Sequence, residues 1–434
     1  MSENNKKVAA YKDKIKEKYD FWETQPVVQF TEELNADVPA GPIEVKTVDE
    51  IRTTPLNLPA SFEWCSVDFN DEAQVQEVYD LLHNNYVEDD ECMFRFSYAP
   101  RFLKWALQPP GYEPDWLIGV RVKATQKLVG FISGVPAEVR AGDSVMKMAE
   151  INFLCVHKKL RAKRLAPVLI KEVTRRVNIK GIWQAAYTAG VLLPRPLATC
   201  RYWHRSLNPK KLIDIRFSHL SANMTLTRLI KLNKLPAEPT IPNVREMCPD
   251  DAPAVAKLLN GYLSKFKVAQ VFTPAEVTHW LQNLEDVVQA YVVESSTAGE
   301  EEGEGKGGQG SKANSQGPKE ITDLFSFYSL PSSVLGHPHH KELRAAYMYY
   351  TVPGKHTVKD LLQNSLIMAH AKGYDVFNAL DLCDNGPLMT DLKFGVGDGE
   401  LHYYLYNWRL GGVGAAGQLG GPQLKPSEVG LILM

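Results

Sequence analysis

The sequence predicts an α+β protein made of two similar units that pack as one body around a pseudo-twofold axis. Helix and strand patterns follow one another in nearly the same order in the two halves of the chain, and the halves have roughly equal lengths. Hydrophobic residues make up 44% of the 434 residues and charged residues 23%, a balance typical of a globular protein with a large core. These observations indicate an internal duplication.

Residues 1–55 are polar and interrupted by prolines, which predicts an N-terminal arm ahead of the first unit. The first unit takes up residues 56–235. We predict its helices over 71–85, 99–107, 166–178 and near 197–206, and its strands over 115–122, 128–135, 148–156, 182–188 and near 212–217.

The second unit takes up residues 236–434. We predict its helices over 251–264, 274–284 and 357–371, and its strands over 288–294, 323–329, 345–352 and 375–380. Residues 296–319 are rich in Gly, Ser and Glu and hold no apolar residue larger than alanine, so we expect a disordered loop. The apolar segment 429–434 follows a Gly-rich stretch at 411–421, which is unusual because chain ends are normally polar.

Charge and composition exclude several classes of protein. The formal net charge is −2, so no general basic field points to nucleic acid as a partner. Six scattered cysteines without a CxxC pair indicate a reducing compartment. The sequence has neither an apolar leader nor a long apolar run, which favours the cytosol over a membrane, and we expect a monomer. The cluster His337, His339 and His340 lacks the Asp or Cys companions of a metal site, so no metal is predicted.

The segment from Glu150 to Glu172 is the most informative. An apolar strand ends at Val156, a basic loop follows, and a helix with Pro167 in its first turn comes next. The cations of the loop are Lys158, Lys159, Arg161, Lys163 and Arg164. A helix N-terminus flanked by cations is suited to bind a polyanion such as the phosphates of coenzyme A, although a solvated basic turn is the simpler interpretation. The matching place in the second unit, residues 353–357, lacks this loop, so we expect only the first unit to bind CoA.

Two stretches carry a specific resemblance. EINFLCVHKKLRAKRLAP, residues 150–167, resembles the signature of N-myristoyltransferases, and KFGVGDG, residues 393–399, resembles their second, C-terminal signature. FWETQPV at 21–27, CRYWHRSLNPKKLI at 200–213 and LHYYLYNW at 401–408 are also similar to the family. The resemblance covers the chain from about residue 15 to residue 434.

The resemblance implies two tandem units with the N-acetyltransferase-like (GNAT) fold around a mixed, saddle-shaped sheet. The first unit is expected to bind acyl-CoA and the second to bind the peptide. It also implies an acyltransferase that moves myristate from myristoyl-CoA to the N-terminal glycine of proteins, with myristoyl-CoA as co-substrate and no permanently bound cofactor. The expected partners are N-terminal glycine peptides of cleaved proteins or of nascent proteins at the ribosome.

For the chemistry, the resemblance implies that the amides of Phe153 and Leu154 hold the oxyanion and that Asn152 and Thr188 hold the amine. Without the resemblance, two apolar strand residues would be assigned to the core. The implied base is the terminal carboxylate of Met434. Because a carboxylate of ordinary pKa is a weak acceptor for an ammonium proton, we expect electrostatic positioning to accompany proton removal.

The resemblance implies an acyl-CoA site made of Asp20, Phe21, Trp22, Phe153, Leu154, Cys155, Val156, Arg161, Ala162, Lys163, Arg164, Leu165 and Ala166. The family commonly has Gln in place of Asp20 and Ser in place of Ala162, so each of these positions is expected to lose a side-chain contact. It implies a peptide groove made of Tyr86, Asp89, Asp90, Phe94, Phe96, Tyr202, His204, Ser332, Tyr347 and Asp398. The acidic members suit basic residues of a peptide, although an acidic run alone is more often a solvated surface.

Two other functions remain open from the sequence. Strand, basic loop and helix also occur in other acyl-CoA N-acyltransferases, although their glycine-rich loop pattern is absent here. A relative that binds acyl-CoA or lipopeptide without turnover would keep the same binding residues. Removing the last residues separates these cases, because a pure binder would keep its acyl-CoA affinity while an enzyme would lose transfer.

Overall fold

The computed structural model describes residues 13, 15–33, 37–87, 93–295, 320–411 and 421–433. The helices are α1 (Glu72–Asn85), α2 (Pro100–Leu107), α3 (Leu165–Ile179), α4 (Pro209–Asp214), α5 (Leu226–Asn233), α6 (Ala252–Leu263), α7 (Pro274–Leu281) and α8 (Val358–Ala371). The strands of the first half are β1 (Phe62–Ser66), β2 (Phe94–Phe96), β3 (Leu117–Val122), β4 (Leu128–Ala141), β5 (Ser144–Val156), β6 (Gln184–Ala189) and β7 (Ala198–Ser206). Those of the second half are β8 (Val244–Glu246), β9 (Val268–Gln270), β10 (Val288–Glu294), β11 (Ile321–Ser329), β12 (Ser332–Val334), β13 (Glu342–Leu343), β14 (Ala345–Val352), β15 (Val376–Leu380), β16 (Gly395–Tyr406) and β17 (Val429–Gly430). The predicted insert 296–319 lies outside the described residues.

Within the described residues, a mixed sheet of 14 strands joins the two halves of the chain, with its main path in the order β1-β3-β4-β5-β6-β16-β7-β15-β14-β11-β10-β8. The arrangement of strands is the same when the sheet is read from either end. The first unit contributes the series β1, β3, β4, β5 and β6, and the equivalent series in the second unit is β8, β10, β11, β14 and β15. The last strands are exchanged, so that β16 pairs with β6 and β7 with β15. In both units a parallel pair, β5 with β6 and β14 with β15, is spanned by a helix, α3 or α8. The predicted pair of similar units around one mixed sheet is confirmed.

Two predicted elements were wrong. The segment predicted as a helix near 197–206 is strand β7, which is paired on both sides by β15 and β16 at the centre of the sheet. The segment predicted as a strand near 212–217 forms the end of helix α4 and the turn that follows it. The helix begins at Pro209 because Asn208 accepts a hydrogen bond from the Lys211 amide and proline is favoured at the first helical position. The remaining predicted helices and strands are present, with β4 and β5 extended to 14 and 13 residues.

The N-terminal arm is fastened to helix α3 and to the end of strand β16. The buried carboxylate of Glu172 in α3 accepts hydrogen bonds from the Leu56 amide and from the side chains of two following arginines. The Asn407 amide after β16 donates to Pro26 O, and its side-chain oxygen accepts from the amides at 43 and 44. The arm thereby lies across the edge of α3.

Residues 421–433 return into the core after the second unit is complete. Strand β17 pairs in parallel with β9, and the Cys383 amide donates to Val429 O. A methyl group at Gly430 would lie 2.6 Å from the Phe266 ring, so the chain passes where no other residue fits. Leu431 and Leu433 are buried. The apolar ending that is unusual in the sequence is therefore part of the core.

In the second unit, the loop that matches the basic loop closes on the side chain of Asp323. Its Oδ1 accepts from the amides of Gly354 and His356 at 2.8 and 2.9 Å, and its Oδ2 lies 3.0 Å from His356 Nδ1. Burial raises the pKa of this carboxyl, but the hydrogen bonds from His356, Gly354 and Thr322 lower it by more, so the pKa lies below its usual value. The Asp323 carboxylate therefore occupies the space next to the loop that precedes the N-terminus of α8.

Replacing this carboxylate should destabilise the protein. We expect Asp323→Ala to lower the free energy of unfolding by about 3 kcal/mol at neutral pH, because the amides of Gly354 and His356 lose their buried acceptor. Since the folded pKa lies below the unfolded one, this contribution is present above the unfolded pKa and is lost as the pH falls through the folded pKa. Urea unfolding at several pH values measures it. Glu320→Ala, at an exposed neighbouring acid, is the control, and equal stability of the two variants at neutral pH would contradict the assignment.

Candidate functional site

Strands β5 and β6 separate in the middle of the sheet. Their parallel pairing runs from Met148 and Gln184 to Ile151 and Tyr187 and ends there. Beyond it the backbone of Phe153 has a φ of 53°, in the left-handed region, and the β4–β5 register shifts. The strand is therefore irregular near its end. It leaves a gap between 152–154 on one strand and 188–190 on the other.

A cavity of about 410 Å³ passes through this gap. Aliphatic side chains of α3 and the sheet line one part, which we call the apolar branch; they include Ile132, Ala149, Ile151, Ile170, Val173, Val177 and Ala185. Aromatic side chains line the other part, which we call the aromatic branch: Tyr86, Phe96, Tyr98, Tyr202, Tyr328 and Tyr347. Asn152, Phe153, Leu154 and Thr188 border the cavity where the strands separate, so they lie between the two branches.

The backbone at this junction is held by polar contacts. The buried Ser133 hydroxyl donates to Asn152 O at 2.9 Å, and the Phe153 amide donates to Asn152 Oδ1 at 3.0 Å. Leu154 follows at the cavity edge, and Thr188 faces the gap from β6. Amides at a strand irregularity can turn toward a ligand oxygen and stabilise a negative charge on it. A ligand oxygen would take the place that Asn152 Oδ1 now occupies at the Phe153 amide.

The last described residues reach the same junction. The Leu433 side chain lines the cavity, and the Ile432 amide donates to the Tyr350 hydroxyl at 3.4 Å. Met434 lies outside the described residues, so the position of its carboxylate stays a prediction.

The basic loop forms a 3₁₀ helix, Lys158–Lys163, directly ahead of α3. It is anchored to the end of α1, because the Lys158 amide donates to Asn85 Oδ1 and the Arg161 guanidinium donates to Asn85 O. Arg164 is left-handed, with a φ of 55°, and no side chain of a described residue caps α3. The side chains of Arg161, Ala162, Lys163 and Arg164 are exposed. The start of α3 therefore presents its dipole and a set of cations to solvent.

The other residues of the predicted acyl-CoA site that lie on β5 and α3 are less exposed than the cations of the basic loop. The Cys155 thiol is buried beside Leu81 O, and burial raises its pKa to about 12, so it is neither reactive nor directed at a ligand. Val156 packs in the core beneath α3. Acyl-CoA could therefore contact only the backbone of Cys155 and Val156, because their side chains are buried. Leu165 and Ala166 form the first turn of α3 and are half-buried.

Trp22 of the N-terminal arm lies against the cavity. Its ring stacks on Tyr187 at 5.6 Å, and Tyr187 stacks on Tyr404 at 5.0 Å. Phe21 lies under the Lys171 ammonium at 5.9 Å. Asp20 is exposed and pairs with Lys18, so its side chain is not directed into the cavity.

Four of the ten predicted peptide-groove residues line the aromatic branch: Tyr86, Phe96, Tyr202 and Tyr347. The rings of Phe96 and Tyr202 both stand edge-on to Tyr347 at 6.4 Å, and Tyr86 lies against Phe153. Ser332 of β12 pairs with Phe96 of β2. Burial raises the pKa of Tyr202 and of Tyr347, so their hydroxyls stay neutral.

A second cluster continues the groove around His204. Its Nδ1 lies 2.7 Å from Asn378 Oδ1, and its ring stands edge-on to Phe217, which also contacts Phe94. Burial lowers the pKa of His204, although Asn378 and the nearby charge of Asp398 oppose the shift. Asp398 is exposed on β16, and Asp89 and Asp90 lie outside the described residues.

Several lining residues were missed by sequence reasoning. They are Tyr98, Tyr187, Tyr328, Glu400, Leu401 and Leu433. An aromatic residue or a leucine in a strand pattern cannot be distinguished from core, and a single glutamate in such a pattern is most simply a surface residue, so no local signal marked them. Only the unusual apolar ending of the chain pointed toward Leu433.

No group of three potential metal ligands occurs among the described residues. Within the histidine cluster, His337 Nδ1 accepts hydrogen bonds from the amides of His339 and His340, so it serves the local turn. None of the described helices has the length and apolar character needed to cross a membrane.

Comparisons with known proteins agree with this geometry. A family model described as the N-terminal domain of myristoyl-CoA:protein N-myristoyltransferase matches residues 42–200. The model of the C-terminal domain matches residues 214–301 and 312–432. Together the two models cover most of the chain.

Curated relatives match along almost the whole sequence. Glycylpeptide N-tetradecanoyltransferase 1 of Arabidopsis thaliana is 54% identical over 417 residues, which cover 96% of this chain and 89% of that protein. Glycylpeptide N-tetradecanoyltransferase of Drosophila melanogaster is 49% identical over 417 residues, covering 96% and 81%.

A solved structure shares the fold. The crystal structure of Saccharomyces cerevisiae N-myristoyltransferase with bound myristoyl-CoA superposes with a TM-score of 0.85 at 40% identity, and the match covers 96% of this chain and all of that one. Family models, relatives and fold lead to one conclusion: this chain is a member of the N-myristoyltransferase family.

Proposed function

We propose that this chain transfers myristate from myristoyl-CoA to the α-amino group of an N-terminal glycine and releases CoA. The observation that carries the proposal is the cavity that joins an apolar branch to an aromatic branch at the amides of Phe153 and Leu154. An acyl chain suits the first branch and an uncharged amine end of a peptide suits the second. Membership of the family supports the same activity.

CoA fits the outer end of the apolar branch. The pyrophosphate and 3′-phosphate would meet the start of α3 and the cations Arg161, Lys163 and Arg164. Trp22 and Phe21 of the N-terminal arm would cover the pantetheine. The second unit offers no equivalent place, because Asp323 already occupies it.

The proposed reaction takes place at the thioester carbonyl carbon, where the two branches meet. The glycine nitrogen attacks the thioester carbonyl carbon, and the negative charge that forms on the oxygen is stabilised by the amides of Phe153 and Leu154. The carbon–sulfur bond then breaks as the carbonyl re-forms, which leaves an amide and the CoA thiolate. The proton lost by the amine ends on the thiolate or in solvent. Asn152 and Thr188, on opposite sides of the gap, would orient the amine.

The base in this proposal is the carboxylate of Met434. The proposal is supported by the burial of Leu431 to Leu433 and by the position of Leu433 at the cavity. A carboxylate near an ammonium stabilises the cation on binding and accepts the proton during attack. Neutral His204 contacts the peptide rather than acting as the base. A cytosolic location, a monomeric state and contact with nascent proteins at the ribosome stay predictions.

The proposed activity is tested with two peptides that differ only at the first residue, Gly or Ala. Thiol release from myristoyl-CoA is expected with the Gly peptide and is expected to fall by at least about 100-fold with Ala, because a methyl group would crowd an amine enclosed by aromatic rings. Release with neither peptide, despite tight binding of myristoyl-CoA, would favour a binding protein without turnover.

The CoA site is tested by the double variant Arg161→Ala/Arg164→Ala. We expect the affinity for myristoyl-CoA to fall by at least about 10-fold and to depend less on salt, since exposed charge pairs with phosphate are screened. The control is Arg228→Ala/Lys231→Ala, which removes the same charge from the exposed surface of α5. Equal affinities in both double variants would remove the basic loop from the site.

The role of the terminal carboxylate is tested by protein ligation of a synthetic segment ending in either Met434 acid or Met434 amide. The amide keeps every side chain and loses only the charge and the proton acceptor. Turnover should fall by at least about 100-fold in the amide, with the affinity for myristoyl-CoA unchanged within twofold. Both products share the ligation site, so equal turnover would exclude the carboxylate as the base.

A further inference from the structure

The last described residues lie in the core without a neighbouring strand. Strand β17 ends at Gly430, so Ile432 and Leu433 are beyond its pairing with β9. Both residues are nevertheless buried. A buried backbone amide without a strand partner is unfavourable unless a side chain satisfies it. The side chains beside this segment therefore determine its course.

Two buried tyrosine hydroxyls lie beside these amides. The Ile432 amide donates to the Tyr350 hydroxyl of β14 at 3.4 Å. The Leu433 amide lies near the Tyr403 hydroxyl of β16, which has no hydrogen-bond partner among the described residues. Burial raises the pKa of both phenols, so both hydroxyls stay neutral and can accept a hydrogen bond from an amide. The segment thus meets one phenol from each of two strands of the sheet.

Each of these phenols is held firmly by its own strand. Strand β14 pairs with β11 and β15, and the Ser326 hydroxyl donates to Tyr350 O at 2.9 Å. The Tyr350 ring stands edge-on to Phe272 at 5.3 Å. Strand β16 is paired on both sides, and Tyr403 lies opposite Thr188 of β6. The hydroxyls are therefore fixed relative to the junction, whereas the segment that they contact has no strand partner of its own.

We propose that Tyr350 and Tyr403 are positioning residues that hold the terminal carboxylate at the reacting amine. The proposal rests on the proposed function, in which that carboxylate is the base. Ile432 precedes Met434 by two residues, so a displacement of the Ile432 amide is passed through two peptide units to the carboxylate. Proton transfer requires hydrogen-bond distance between the base and the amine, and a misplacement of about 1 Å can cost about 100-fold in rate.

A purely structural role of these hydroxyls predicts a different result from a positioning role. If a hydroxyl only stabilised the folded protein, its loss would lower turnover by the same factor whatever group ends the chain. If it acts through the carboxylate, its loss matters only while the carboxylate is present. A double-mutant cycle between the hydroxyl and the carboxylate separates the two roles.

The test combines Tyr350→Phe with the two ligated forms of the chain, which end in Met434 acid or Met434 amide. In the acid form we expect kcat for transfer to a Gly peptide to fall about 10-fold, while Kd for myristoyl-CoA stays within about twofold of wild type. In the amide form the same substitution should change kcat by less than about twofold. Tyr291→Phe is the matched control, because it removes a buried hydroxyl of β10 that has no hydrogen-bond partner among the described residues and does not line the cavity. Its kcat should equal that of wild type in both forms.

An equal loss of kcat in the acid and amide forms of Tyr350→Phe, or a loss in neither, would overturn the proposal. If Tyr350→Phe does not fold, Tyr403→Phe decides the outcome by the same comparison of acid and amide. Equal turnover of the wild-type acid and amide forms would instead refute the base assigned in the proposed function, and the positioning role would fall with it.

Discussion

The separation of β5 from β6 is the constraint on which the rest of the site depends. Backbone amides in a sheet are almost always paired with a neighbouring strand, and a gap in the pairing is unfavourable unless other groups satisfy them. Here the left-handed Phe153 turns the strand, and Asn152 and Ser133 hold it in place. The same gap that frees the amides also lets a cavity pass from one face of the sheet to the other. Under the proposed function, the acyl chain and the peptide would reach one carbon atom through different branches of this cavity.

The two units have equivalent strands but unequal loops ahead of the helices α3 and α8. In the first unit, the loop that precedes α3 carries exposed cations. In the second unit, the loop that precedes α8 donates hydrogen bonds to the buried Asp323. An internal carboxylate is a permanent ligand for those amides, so an external phosphate has no place there. Because the last strands are exchanged, Tyr202 of β7 and Tyr347 of β14 meet Tyr86 from the first unit. The aromatic branch belongs to neither unit alone.

The sequence was informative wherever one local pattern determines one local structure. Helices α1 and α8 have clear periodicity and capped N-termini, and the basic loop is marked by its charge. Local patterns failed for β7 because its residues become a strand only through two partners from the other unit. Phe217 and Tyr328 gave no signal, since their role comes from three-dimensional neighbours. The left-handed Phe153 is a backbone feature without a characteristic residue type, so the family resemblance rather than its side chain pointed to it.

The pairing of β17 with β9 joins parts of the chain that are far apart in sequence. Contacts of this kind form late, because the entropy of closing a long loop opposes them until the intervening structure exists. Leu433 borders the cavity and belongs to this segment, which also leaves the ribosome after every other described residue. The wall of the cavity is thus completed only after both units have assembled. In a newly made molecule, this part of the cavity wall therefore depends on a contact that closes a loop of more than a hundred residues.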